Sequence, residues 1–141
     1  MSVSNFDINL WAVLLAGVAS MVIGMVYYSN AAFGKEWKKL AKIEEKRFQK
    51  EMPRVMPVVF AGALITAYIV AYITNLYQTF FDISWLGAGV VSALIIWFVV
   101  ATNIYIHNSL DQRPTKLSVI SLGNRLLSIV AMGLIIGWLH P

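Results

Sequence analysis

Four long apolar runs constrain this chain more than any other feature. They extend over Ile8–Tyr28, Val58–Thr79, Trp85–His107 and Ser118–Leu139, and none contains Asp, Glu or Lys. The hydrocarbon core of a bilayer is about 30 Å thick, so a crossing helix needs roughly 20 apolar residues. Inside it every backbone N–H and C=O must be satisfied within the protein, which admits helices or a closed barrel. Unbroken apolar runs lack the alternation of barrel strands. The expected fold class is therefore all-α: an integral membrane four-helix bundle, with residues 1–141 forming a single membrane domain.

Composition agrees with that solvent. Apolar residues make up 59% of the chain and charged residues 13%, with a mean hydropathy of +0.70, far from the balance of a soluble domain. The absence of cysteine excludes disulfides, thiolate metal sites and a cysteine nucleophile. No Lys or Arg precedes the first run, which continues past the small residues Ala16 to Ser20. It is expected to be a permanent anchor rather than a cleaved signal.

The loop 29–57 carries Lys35, Lys38, Lys39, Lys42, Lys46, Arg47, Lys50 and Arg54. The N-terminal tail and residues 80–84 carry no Lys or Arg, while Arg113 and Lys116 lie between the third and fourth runs. Both basic segments fall on one side of a four-span chain. The positive-inside rule places that side in the cytoplasm and both termini outside. The net charge of +4 follows from orientation and attraction of the loop to anionic lipid, so no nucleic-acid partner is expected. Within the loop, Phe33, Trp37, Leu40, Ala41 and Phe48 fall on one helical face, which predicts a cytoplasmic interfacial helix between the first two spans. A solvated charged helix is the competing reading. Pro53 is expected to end this helix, and Pro57 to open the second span.

Helices in lipid associate through small residues that let backbones approach. Ala16, Ser20 and Gly24, then Gly89 and Ala93, then Gly133 and Gly137 recur at four-residue spacing. They are candidate packing positions, within one chain or between chains. Residues 16–23 read AGVASMVI and residues 88–95 read AGVVSALI. A duplicated hairpin or shared composition would produce that likeness.

Ser118, Ser121, Arg125 and Ser128 form a polar stripe at 3, 4, 3 spacing on the fourth span, with Asn124 beside it. Arg125 falls about 13 Å beyond Lys116 along the helix, where a charge costs roughly 2.5–3.5 kcal/mol on insertion scales. It either snorkels toward lipid phosphate or water or faces the bundle interior as an anion-attracting charge. No span supplies a carboxylate partner, leaving the neutral groups Asn103, Thr102, Tyr68 and Tyr72. Asn103 and His107 are one turn apart near the end of the third span, where they cap a helix end or line a vestibule with Arg125. His107 and His140 are expected on opposite sides of the membrane, so no metal site or other cofactor is predicted.

Tyr27-Tyr28-Ser29-Asn30-Ala31-Ala32-Phe33-Gly34-Lys35-Glu36-Trp37 resembles the signature after the first span in a family of small prokaryotic four-span proteins, catalogued as domain of unknown function seventeen-sixty-one. Asn30 stands where that signature usually has Pro. Phe98 to Asn103, the basic turn before Leu117, and Gly123 to Trp138 are also similar to that family. The resemblance implies four helices and an inner-membrane location, and brings no known activity. Tyr28, Ser29, Phe33, Gly34 and Trp37 read physically as an elbow that turns the chain from the span onto the membrane surface.

Two functions are compatible with these residues. One is a non-enzymatic bundle that works as a homo-oligomer or as an accessory to another membrane protein. The other is a channel or transporter for a small solute, such as an anion, lined by Arg125, Ser121, Ser128, Asn124, Asn103 and His107.

Overall fold

A computed structural model describes residues 7–140. The N-terminal tail that the charge argument places outside falls largely on residues 1–6, outside the described residues. Five helices follow in order: α1 (Leu10–Tyr27), α2 (Gly34–Leu40), α3 (Glu45–Phe81), α4 (Trp85–Leu110) and α5 (Thr115–Trp138). Four of them, α1, α3, α4 and α5, are long and apolar enough to cross a membrane.

The helix ends have local causes. Asn9 caps α1 by accepting from the amides of Trp11 and Ala12, and Ser84 caps α4 by accepting from Gly87. Asp82 closes α3 in the left-handed region at φ 49°. Gln112, at φ 55°, turns the chain between α4 and α5.

Around the bundle, α1 packs against α3 and α5, and α4 packs against the same two helices. The closest pair is α4 with α5. A Cβ on Gly89 would fall on the carbonyl oxygen of Gly133, and one on Gly133 would meet the Gly89 carbonyl. The two backbones touch, and only glycine fits there. Gly137 faces the Trp85 backbone in the same way, with a Cβ 2.6 Å from its carbonyl oxygen. The core continues through Ala16, Val70, Ala93, Ile129, Met132 and Ile136. Outside this seam, large apolar side chains face outward, including Trp138 at 77% and Phe98 at 67% exposure. That surface suits lipid and not water.

The connection from α1 to α3 differs from the expected single surface helix. α2 lasts only seven residues and ends in a turn with Lys42 at φ 54°. α3 then runs 37 residues, straight through Pro53 and Pro57. Neither proline marks a boundary. Each removes one backbone donor, but Gln49 and Pro53, whose carbonyls lose their partners, are exposed on the projecting part of the helix. Polar surroundings can satisfy those carbonyls there, so the usual penalty shrinks.

The Asn9 side-chain amide donates to the Leu139 carbonyl at 2.9 Å, and the His140 ring stacks on Trp85 at 4.9 Å. These contacts gather the starts of α1 and α4 and the end of α5 at one end of the bundle. α2, the α4–α5 turn and the projecting start of α3 lie at the other.

Candidate functional site

The elbow after α1 is built from backbone bonds and stacked rings. The Ser29 hydroxyl donates to the Val26 carbonyl at 2.7 Å, the Phe33 amide to Tyr27 and the Gly34 amide to Ser29. Gly34 is buried, and a Cβ there would strike the carbonyl oxygens of Tyr28 and Ser29. Tyr27 meets Phe33 at 4.7 Å, Tyr28 meets Trp37 at 4.8 Å, and Trp37 meets Phe48 of α3 at 6.0 Å. Thus Trp37 and Phe48 come together across a turn, not along one helix.

Salt bridges tie this elbow to its neighbours. Lys38 pairs with Glu45 at 2.9 Å, and Lys116 of α5 pairs with Glu36 of α2 at 2.9 Å. Hydrogen bonding from Lys116, then its charge, holds the Glu36 carboxyl below its ordinary value. Hydrogen bonding from Lys38 does the same for Glu45.

α5 receives side-chain donors from two helices. The Tyr27 hydroxyl donates to the Ile120 carbonyl at 2.6 Å, and the Trp97 indole donates to the Leu122 carbonyl at 3.1 Å. Gly123 makes the first possible, since a Cβ there would sit 2.6 Å from the Tyr27 hydroxyl.

The polar stripe on α5 divides between two surroundings. Ser118 and Ser128 are buried, at 2% and 4% exposure, and Asn124 at 9%. Ser118 accepts from the Asn108 amide at 3.0 Å. Ser121 is half-buried, whereas Arg125 is exposed on the outside of the bundle. The Tyr28 hydroxyl lies beside the side chains of Ser121 and Asn124 and within the field of Arg125. Of the neutral partners considered from the sequence, Asn103 and Thr102 are exposed and bond back to carbonyls of their own helix. His107 is exposed near the end of α4. The structure therefore sets the end of α1 beside the turn of α5 that carries Ser121 and Asn124, and leaves Arg125, Asn103 and His107 exposed.

Among the described residues, Asn124 Oδ1 is the buried side-chain atom without a hydrogen-bond partner. Such an orphan costs about 1–3 kcal/mol. Buried Thr74 and Ser92 avoid this by donating to Val70 and Ala88 one turn back, as does Asn75 to Ala71.

Of the small residues singled out by spacing, Ala16, Gly89, Ala93, Gly133 and Gly137 are buried within the chain and Ser20 is half-buried. Gly24 has open space beside its Cα.

The sequence matches the family described as Protein of unknown function (DUF1761) over residues 11–137. The chain belongs to that family. No curated protein and no solved structure matches it. In this DUF1761 chain the matched region takes in the elbow, the Gly89–Gly133 seam and the polar stripe of α5.

Proposed function

We propose that this DUF1761 protein is a non-enzymatic membrane bundle that works by association, with copies of itself or as an accessory subunit of another membrane protein. The observation that carries the reading is the glycine seam. Gly89 and Gly133 bring the α4 and α5 backbones into contact near the start of α4 and the end of α5, so this helix pair leaves no width for a solute there. What the chain has to offer is its outer surface. In this reading the protein sits in a prokaryotic inner membrane. The basic α2–α3 end lies in the cytoplasm against anionic lipid, and both termini are outside.

A solute path is the second reading, favoured by the outward position of Arg125 beside Ser121. Such a path would run between copies, in a closed symmetric oligomer.

Counting chains in lipid nanodiscs by single-molecule photobleaching tests the first reading. Particles with more than one step, or with a fixed second protein, are expected. Single-step particles lacking any partner chain contradict it. Anion flux into proteoliposomes that disappears in Arg125→Gln would favour the second reading instead.

A further inference from the structure

We propose that Arg125, Ser121 and Tyr28 form a binding site for the phosphate of a membrane phospholipid headgroup. The first argument is depth. Tyr28 caps α1 and its ring packs on Trp37. Tyr and Trp rings concentrate where headgroups meet the hydrocarbon. The adjoining Tyr27 hydroxyl bonds the Ile120 carbonyl at 2.6 Å, so α1 ends beside the turn of α5 that carries Ser121, with exposed Arg125 one turn further in. Helical side chains lean toward the N-terminus of their helix, and for α5 that is the α2 end of the bundle.

The second argument is unmet charge. Among the described residues the ion pairs are Lys38–Glu45, Arg47–Glu51, Arg113–Asp111 and Lys116–Glu36. None engages Arg125, which is exposed. An unneutralised cation at the edge of hydrocarbon is costly, and an anion supplied by the surroundings relieves it.

The third is the donor set. A guanidinium fork with two hydroxyls can share the oxygens of a tetrahedral phosphate, and arginine is the residue best shaped for that geometry.

The test uses the full chain in neutral detergent, with bound molecules counted by native mass spectrometry. The probes are short-chain phosphatidylglycerol, diacylglycerol with the same acyl chains, and inorganic phosphate. Wild type is expected to retain phosphatidylglycerol over diacylglycerol, with Arg125→Gln weakening retention roughly tenfold or more. Ser121→Ala and Tyr28→Phe, each removing one hydroxyl, should weaken it less while leaving helicity unchanged. Equal retention by wild type and Arg125→Gln overturns the proposal, as does equal binding of diacylglycerol. Inorganic phosphate that binds alone as tightly, and with the same dependence on Arg125, overturns the lipid assignment and makes a free anion the ligand. Loss of the same lipid on replacing Lys46 and Lys50 instead would place it on α3 and likewise overturn the site.

Discussion

The Tyr27 hydroxyl rests on Gly123, whose missing side chain lets it reach the Ile120 carbonyl at 2.6 Å. This contact fixes the end of α1 against α5 and thereby the position of the whole elbow. A methyl group at residue 123 would sit 2.6 Å from that hydroxyl. Gly123→Ala should therefore destabilise the bundle by about 1–3 kcal/mol, the usual cost of overpacking. In a Tyr27→Phe background the cost should fall, because the obstructing oxygen is gone. Thermal unfolding of the two single variants and the double variant measures the coupling.

Gly89 and Gly133 should tolerate no side chain, because the obstacle to each is the other's backbone. Gly89→Ala and Gly133→Ala are expected to lower the unfolding temperature strongly. Gly24→Ala and Gly62→Ala, with nothing within 4 Å of the added methyl, should be neutral or stabilising by up to about 1 kcal/mol. Size-exclusion profiles and thermal scans in detergent distinguish the two groups.

Asn124 holds a buried acceptor that nothing satisfies. Replacing it with leucine, of similar size, should leave stability unchanged or raise it despite the loss of its approach to Tyr28. A large drop in the unfolding temperature would show that the amide is satisfied after all.

The bridge from Glu36 to Lys116 ties α2 to α5. Lys116 lowers the Glu36 pKa in the folded protein. Such a group stabilises the fold above its unfolded value, and that contribution is lost as pH falls through the lower folded value. The tether should thus hold at neutral pH and release on acidification below the ordinary Glu36 value of 4.5. Distances between spin labels on Lys39 and Thr115 should widen in that range, and Glu36→Gln should remove the pH dependence. Because the pair is exposed, high salt should also weaken it.

The spans were legible because hydropathy over some twenty residues dominates every competing signal in a bilayer. The α4–α5 seam was half legible: spacing singled out Gly89 and Gly133, but spacing does not say which helix each one meets. The length of α3 was not legible, since Pro53 and Pro57 normally break helices. What preserves the helix is the exposure of the freed carbonyls, a property of the surroundings rather than of the sequence. The surroundings of the polar stripe are not legible for a related reason. The sequence offers Asn103, Thr102, Tyr68 and Tyr72 as partners for Arg125 because they are polar and inside spans. The end of α1 lies instead beside Ile120, short of the start of α5. Nothing in the spacing of Tyr27 and Trp97 marks the α5 carbonyls they bind.

Continuity of α3 can be read directly. Spin labels at Lys46 and Leu64, on either side of both prolines, should lie about 27 Å apart with a narrow distribution. A helix broken at Pro53 would give a broad distribution centred at a shorter distance.

A native mass spectrum of the protein released gently from membrane tests the central claim most directly, since it reports subunit number, partner chains and retained lipid together. Association predicts a defined assembly of more than one protein chain. A bare monomer as the dominant species, under conditions that preserve other membrane complexes, would contradict it.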